Sequence, residues 1–138
     1  GCSEFAADAA LTTQLHAAPT QLCAGAPGQL EAAVLARLGV SLPRVHQGVL
    51  IAGDRFVATA AESQALRDAL PAALAVDMES AAVAQVCYDF GVPFAAMRTV
   101  SDRADATAPV DFPQFLRQLA APYARGILAL LLQLLYKK

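Results

Sequence analysis

The 138 residues carry ten Lys and Arg against twelve Asp and Glu, a formal charge of −2, with 57% hydrophobic and 16% charged residues. That balance fits one well-buried globular chain rather than a disordered tail, and the few, scattered basic residues offer nucleic acid no footing. Three cysteines, Cys2, Cys23 and Cys87, are odd in number and lack the spacing of a disulfide framework or a zinc site, which fits a reducing, cytoplasmic setting.

In chain order, residues 5–18 read as a helix with Phe5, Ala9 and Leu15 broadly on one side. Asp8 stands near its front, where the dipole favours an acid, and Pro19 is expected to end it. Residues 21–28, holding Gly25, Pro27 and Gly28, read as a surface loop. A second helix over 29–38 has Leu30, Val34 and Leu38 at four-residue spacing and Gly39 as its cap. Residues 45–52 are β-rich and lead into a polar, glycine-marked exit, Gly53-Asp54-Arg55-Phe56. A short polar helix over 62–70 is closed by Pro71. Residues 75–78 are extended, and 80–90 form a helix whose apolar face is Val83, Val86, Cys87 and Phe90, stopped by Gly91 and Pro93. Residues 94–100 read as another buried strand. Asp111, Pro113 and Gln114 mark the start of a last helix, interrupted at Pro122 and Gly126. Its strongly apolar run, 127–135, is well short of the roughly 20 residues of a bilayer span, so it reads as a core helix and no membrane partner is expected. No basic segment followed by an apolar core marks a secretory leader.

Strand, helix and strand over 75–100 imply a parallel pair ending at one rim, with Glu79 and Asp102 placed where each strand gives way. Ligands of open α/β sheets bind at the carboxyl ends of strands, which makes both carboxylates candidate site residues. The alternation as a whole implies α/β architecture, a three-layer α/β/α arrangement around a mostly parallel or mixed sheet, in a single domain over 1–138. Three strands fall below the usual sheet of about 4–6, so the fold is expected to be incomplete at its amino-terminal side, and the alanine-rich composition implies a thin core. Standing alone, Asp102 is an ordinary turn residue and Glu79 a first-turn acid. Arg98, in the middle of an apolar run, needs a carboxylate, either Glu79 or Asp77. His16 and His46 have no carboxylate or cysteine at a ligand or triad spacing.

Three motifs, in order, resemble the nucleoside phosphorylase and nucleosidase superfamily, and its 5′-methylthioadenosine/S-adenosylhomocysteine nucleosidase branch most closely. They are Gly48-Val49-Leu50-Ile51-Ala52-Gly53-Asp54-Arg55-Phe56, Val76-Asp77-Met78-Glu79-Ser80-Ala81-Ala82 and Arg98-Thr99-Val100-Ser101-Asp102-Arg103-Ala104-Asp105. The likeness continues through Asp111-Phe112-Pro113-Gln114-Phe115 and corresponds to the carboxyl-terminal part of such an enzyme. It implies hydrolysis of the N-glycosidic bond of an adenine nucleoside, with a place in purine and methionine salvage. A phosphate-using phosphorylase and a non-catalytic nucleoside-binding piece are the alternatives. Residue by residue, the resemblance makes Asp102 the acid at the purine N7, supported by Ser101. Met78 and Glu79 would form the ribose floor, Glu79 accepting from the 2′- and 3′-hydroxyls. Phe56 would stack on the base, Val57 would offer backbone groups to its edge, and Phe112 would line the 5′ side. Ala52 stands where the nucleosidase pattern has serine, which removes one polar contact near the base, and the 23–39 region is longer than the pattern. The resemblance implies no metal or organic cofactor, a purine nucleoside as partner, and a homodimer or larger homo-oligomer. The family's water-activating glutamate belongs to its amino-terminal half, so these 138 residues alone are expected to be inactive.

Overall fold

A computed structural model describes residues 3–25, 29–37, 43–100 and 115–136. Its elements are α1 (Ala9–Cys23), α2 (Gln29–Arg37), β1 (Val49–Ala52), α3 (Ala60–Ala69), β2 (Ala73–Asp77), α4 (Ser80–Asp89), a π-helical turn (Leu116–Ala120) and α5 (Ala121–Tyr136). They fall into two compact units, Gly1–Thr12 with Gln47–Ala108, and Thr13–His46 with Pro109–Lys138.

The first unit is built on a parallel pair, β1 with β2, in which Leu50 faces Ala75, Ile51 faces Val76 and Ala52 faces Asp77. The strand expected over 45–52 is only Val49–Ala52, because the chain bends at Gly48. A Cβ at Gly48 would overlap the end of the Leu74 side chain, so a larger residue there would have to turn that exposed leucine aside. The crossover between the strands is α3, and it begins two residues before the expected position. Thr59 and Glu62 form a reciprocal capping box: the Thr59 hydroxyl accepts from the Glu62 N–H at 3.2 Å, and the Glu62 carboxylate accepts from the Thr59 N–H at 3.2 Å. The Thr59 hydroxyl bond, followed by the Ala58 N–H, holds the Glu62 carboxyl below its ordinary range.

Along β2 the side chains alternate, with Ala73, Ala75 and Asp77 partly covered and Leu74 and Val76 exposed. Helix α4 packs on β1 and its buried residue is Ala84. The face expected to form core is therefore turned outward: Val83, Val86 and Phe90 are all more than half exposed. A small side chain on the inner face lets helix and strand approach closely, and an alanine-rich helix has several faces apolar enough to serve. The stop behaves as expected, since Gly91 takes φ +63° and a Schellman arrangement closes the helix, with Val92 N–H on the Cys87 carbonyl and Gly91 N–H on that of Tyr88.

Residues 94–100 form no strand, which corrects the sequence expectation. The sheet among the described residues has two strands, and the Phe94 carbonyl accepts from the Asp8 N–H at 2.7 Å. The parallel pair that fixes a common edge is thus β1–β2 rather than β2 with 94–100. Asp8 in turn caps α1, its Oδ1 accepting from the Leu11 N–H at 2.8 Å. Phe5 meets Tyr88 edge to face, with ring centroids 5.7 Å apart.

In the second unit, Leu35 of α2 packs with Phe115 and Leu119, and Ala120 and Tyr123 lie against them. Pro19 does not end α1 but lies buried within it. One backbone bond is lost there, and the next turn stays helical: the Thr20 hydroxyl donates to the His16 carbonyl and the Ala24 N–H to that of Thr20. At the far end, the break expected at Pro122 and Gly126 is absent, and the irregularity falls one turn earlier. The Ala121 N–H reaches back five residues to the Leu116 carbonyl. That wide turn makes room for the Pro122 ring, which would collide with the Gln118 carbonyl in a regular α-helix. Gly126 gives Leu22 space, since a Cβ there would stand 3.3 Å from it. The resulting helix, Leu116–Tyr136, has 21 residues and is long and apolar enough to cross a membrane by length and composition. It also carries Arg117, Gln118, Arg125 and Gln133, and it buries Leu119 and Ile127 while Leu128 and Leu132 are over half exposed.

Candidate active site at the carboxyl edge of the strand pair

Because β1 and β2 run parallel in register, they end together. The Gly53 N–H donates to the Asp77 carbonyl at 3.1 Å, carrying the pairing one residue past β1. Phe56 and Val57 follow β1, and Met78 and Glu79 follow β2, so four of the expected site residues leave the sheet at one edge. Phe56 is 66% exposed, an aromatic face open to a flat partner, whereas Val57 is half-buried. Met78 is also substantially exposed. Ser101, Asp102 and Phe112 lie outside the described residues.

Glu79 occupies the residue before α4, where a side chain would ordinarily cap the helix, yet it makes no capping bond. Asp77 does that work instead. Its Oδ1 accepts from the Ser80 N–H at 3.1 Å and the Ser80 hydroxyl at 2.7 Å. Its Oδ2 accepts from Arg98 Nε at 2.5 Å, and Arg98 Nη2 reaches on to Glu79 Oε2. Arg98 thus meets both carboxylates that the sequence leaves open as partners, one guanidinium arm to each. The three are not equally covered: the Asp77 side chain is 7% exposed, Arg98 40% and Glu79 63%.

Burial raises the Asp77 carboxyl's pKa, but the bonds from Ser80 and Arg98 outweigh it and hold the group below the ordinary aspartate range. The Asp77 hydrogen bond is likewise the main cause that raises the Arg98 guanidinium. The set presents one anchored cation and an accessible carboxylate. The accessible Glu79 carboxylate and the exposed Phe56 ring thus follow the two strands at the same edge. Among the described residues no three His, Cys, Asp or Glu side chains cluster to hold a metal ion. Composition and periodicity leave the capping role of Asp77 unread, although an aspartate three residues before the first helical serine is a local signal for it.

Comparison with known proteins bears on this edge. Over 87 residues, 63% of its length, the chain is 40% identical to a 5′-methylthioadenosine/S-adenosylhomocysteine nucleosidase of Staphylococcus aureus strain bovine RF122 / ET3-1, and spans 38% of that protein. The fold matches a nucleosidase of the same name from Neisseria meningitidis, solved with methylthio-immucillin-A. That match has a TM-score of 0.72 and 30% identity, over 93% of this chain and 47% of the other. A futalosine hydrolase of Helicobacter pylori strain 26695 matches with a TM-score of 0.59 and 27% identity, over 91% and 46%. The chain therefore spans less than half the length of these relatives, and its α/β fold with a parallel strand pair is nucleoside phosphorylase-like. A family model described as the phosphorylase superfamily matches residues 1–133, and the chain belongs to that superfamily.

Proposed function

We propose that the protein hydrolyses the N-glycosidic bond of adenine nucleosides such as 5′-methylthioadenosine and S-adenosylhomocysteine, releasing adenine. The observation that carries this reading is Glu79: it is relieved of helix capping, braced by Arg98 and exposed on the edge that also bears Phe56. A carboxylate there accepts from two neighbouring ribose hydroxyls at once, and such charge-assisted bonds are among the stronger ones. Phe56 stacks on the purine, Val57 offers its backbone to the base edge, and Met78 lies under the sugar.

In the reaction the C1′–N9 bond breaks, its electron pair passes to the purine, and the sugar becomes oxocarbenium-like before water adds at C1′ and gives up a proton to solvent. Asp102 donates the proton at N7 that neutralises the departing base, with Ser101 supporting it, and Phe112 lines the 5′ side. A positioned acid of this kind contributes about 10²–10⁴-fold. These three residues follow Arg98 in the sequence, and Arg98 is the residue that ties its segment to the strand edge. The similar proteins are named nucleosidases and a hydrolase, which favours water over phosphate as the acceptor. The same reading carries a homodimer or larger assembly and a cytoplasmic location as proposals.

The native protein, incubated with 5′-methylthioadenosine in phosphate-free buffer, is expected to release adenine at a rate unchanged by added phosphate. Release only with phosphate would make it a phosphorylase. Tight binding with no release in either buffer would make it a nucleoside-binding protein, and neither binding nor release would remove the reading altogether.

A further inference from the structure

We propose that Asp77, which makes no contact with substrate in the reading above, is the positioning residue that keeps Glu79 available for the ribose. The inference rests on that reading of Glu79 and extends it to a residue with no role there. Two other tasks compete for the Glu79 carboxylate. As the residue before α4 it is placed to cap the helix, and as a neighbour of Arg98 it is placed to take the whole guanidinium fork. Either would occupy the oxygens that two hydroxyls need.

Asp77 removes both competitors. Its Oδ1 takes the Ser80 N–H and hydroxyl, so the start of α4 is satisfied without Glu79. Its Oδ2 takes Arg98 Nε, so only one arm of the guanidinium remains to touch Glu79, at Oε2. Among the described residues Glu79 Oε1 stays uncommitted. Position enforces the division: Asp77 lies on the covered side of β2 with Ala73 and Ala75 and is 7% exposed, while Glu79 is 63% exposed. A covered carboxylate with three donors is a fixed anchor, and an exposed one with a single arm on it is free to meet a ligand.

Replacing Asp77 with Asn keeps an acceptor for Ser80 but removes the charge that holds Nε. Arg98 is then expected to swing fully onto Glu79. The test uses the native protein and two substrates, an adenine ribonucleoside and its 2′-deoxy counterpart. In D77N the preference in kcat/KM for the ribonucleoside is expected to fall about tenfold, the size of one charge-assisted bond, with the 2′-deoxynucleoside little changed. D77E, which restores the charge, is expected to recover part of the preference. If D77N does not fold, R98K serves: an ammonium kept by the covered Asp77 leaves Glu79 free, so the preference is expected to hold, and a tenfold fall would overturn the proposal. For D77N, equal loss on both substrates or an intact preference would overturn it. Should the wild-type protein act on neither nucleoside, the functional reading fails separately. The crystal structure of D77N then decides the positioning claim: Arg98 paired through both arms with Glu79 supports it, and Arg98 left where it is in the wild type overturns it.

Discussion

Replacing Arg98 with Met removes the cation and keeps most of the apolar stem, so its cost reports the ion pairs rather than lost packing. Asp77, at 7% side-chain exposure, would keep its two bonds from Ser80 and lose the one from Arg98 Nε. A hydrogen bond to a charged group contributes about 1.5–3 kcal/mol, and the 40% exposure of Arg98 discounts that toward the lower end. The arm to Glu79, at 63% exposure, adds at most a few tenths through solvent screening. We expect R98M to cost about 1–2 kcal/mol at pH 7. The sign with pH follows from Asp77, whose folded pKa lies below its ordinary value. Its contribution is full above that ordinary value, about 3.9, and fades as pH falls through the folded one. Urea unfolding of wild type and R98M from pH 7 into the acid limb is the assay, and the gap between them should shrink below about pH 4. A gap of constant size across the acid limb, or none at pH 7, would refute the anchoring of Asp77 by Arg98.

Asp102→Asn is expected to abolish most turnover while leaving nucleoside binding within about tenfold, because an amide still bonds to N7 but delivers no proton; an unchanged kcat would remove the acid role. Glu79→Gln should lower kcat/KM on ribonucleosides more than on 2′-deoxynucleosides, and equal effects on both would contradict its place under the sugar. Thr59→Ala opens the capping box of α3 and should cost about 1 kcal/mol in urea unfolding without altering nucleoside preference; a larger loss of preference than of stability would give Thr59 a role at the edge.

The α/β class with a parallel strand pair was legible in the sequence, whereas the candidate site can be followed only where its residues leave the two strands. Phe56, Val57, Met78 and Glu79 leave the sheet at one edge because they follow two strand ends, which glycine and the step from apolar to polar residues mark; the rim read from the sequence was instead that of Glu79 and Asp102, and it rested on a strand at 94–100 that does not form. What misled were readings that depend on distant partners. An apolar run such as 94–100 has the composition of a strand, but a strand exists only where a neighbour supplies the ladder. In α4 half of the residues are Ala or Val and they fall on several faces, so periodicity could not tell that Ala84 would be inside and Val83 and Val86 outside. Pro19 and Pro122 were read by a local rule that tertiary packing and a widened turn overrode. The start of α3 was legible after all, in the spacing of Thr59 and Glu62.

Within three residues after β2 the chain must begin a helix and present a carboxylate, and the two demands fall on different side chains. Ser80 separates them experimentally, because it touches the helix start and Asp77 but neither Arg98 nor Glu79 by any bond described. Ser80→Ala removes the hydroxyl that donates to Asp77 at 2.7 Å and keeps the backbone N–H bond at 3.1 Å. The lost hydrogen bond is worth about 1 kcal/mol, partly offset by the better helix propensity of alanine, so a net cost below about 1 kcal/mol is expected. The charge on Asp77 and its bond to Arg98 remain, so the preference for ribonucleoside over 2′-deoxynucleoside should stay within about twofold of wild type. Unfolding in urea and paired kcat/KM measurements would show the two effects apart. If S80A lost the sugar preference as fully as D77N, the helix cap would be what sets Glu79, and the ion pair would be incidental.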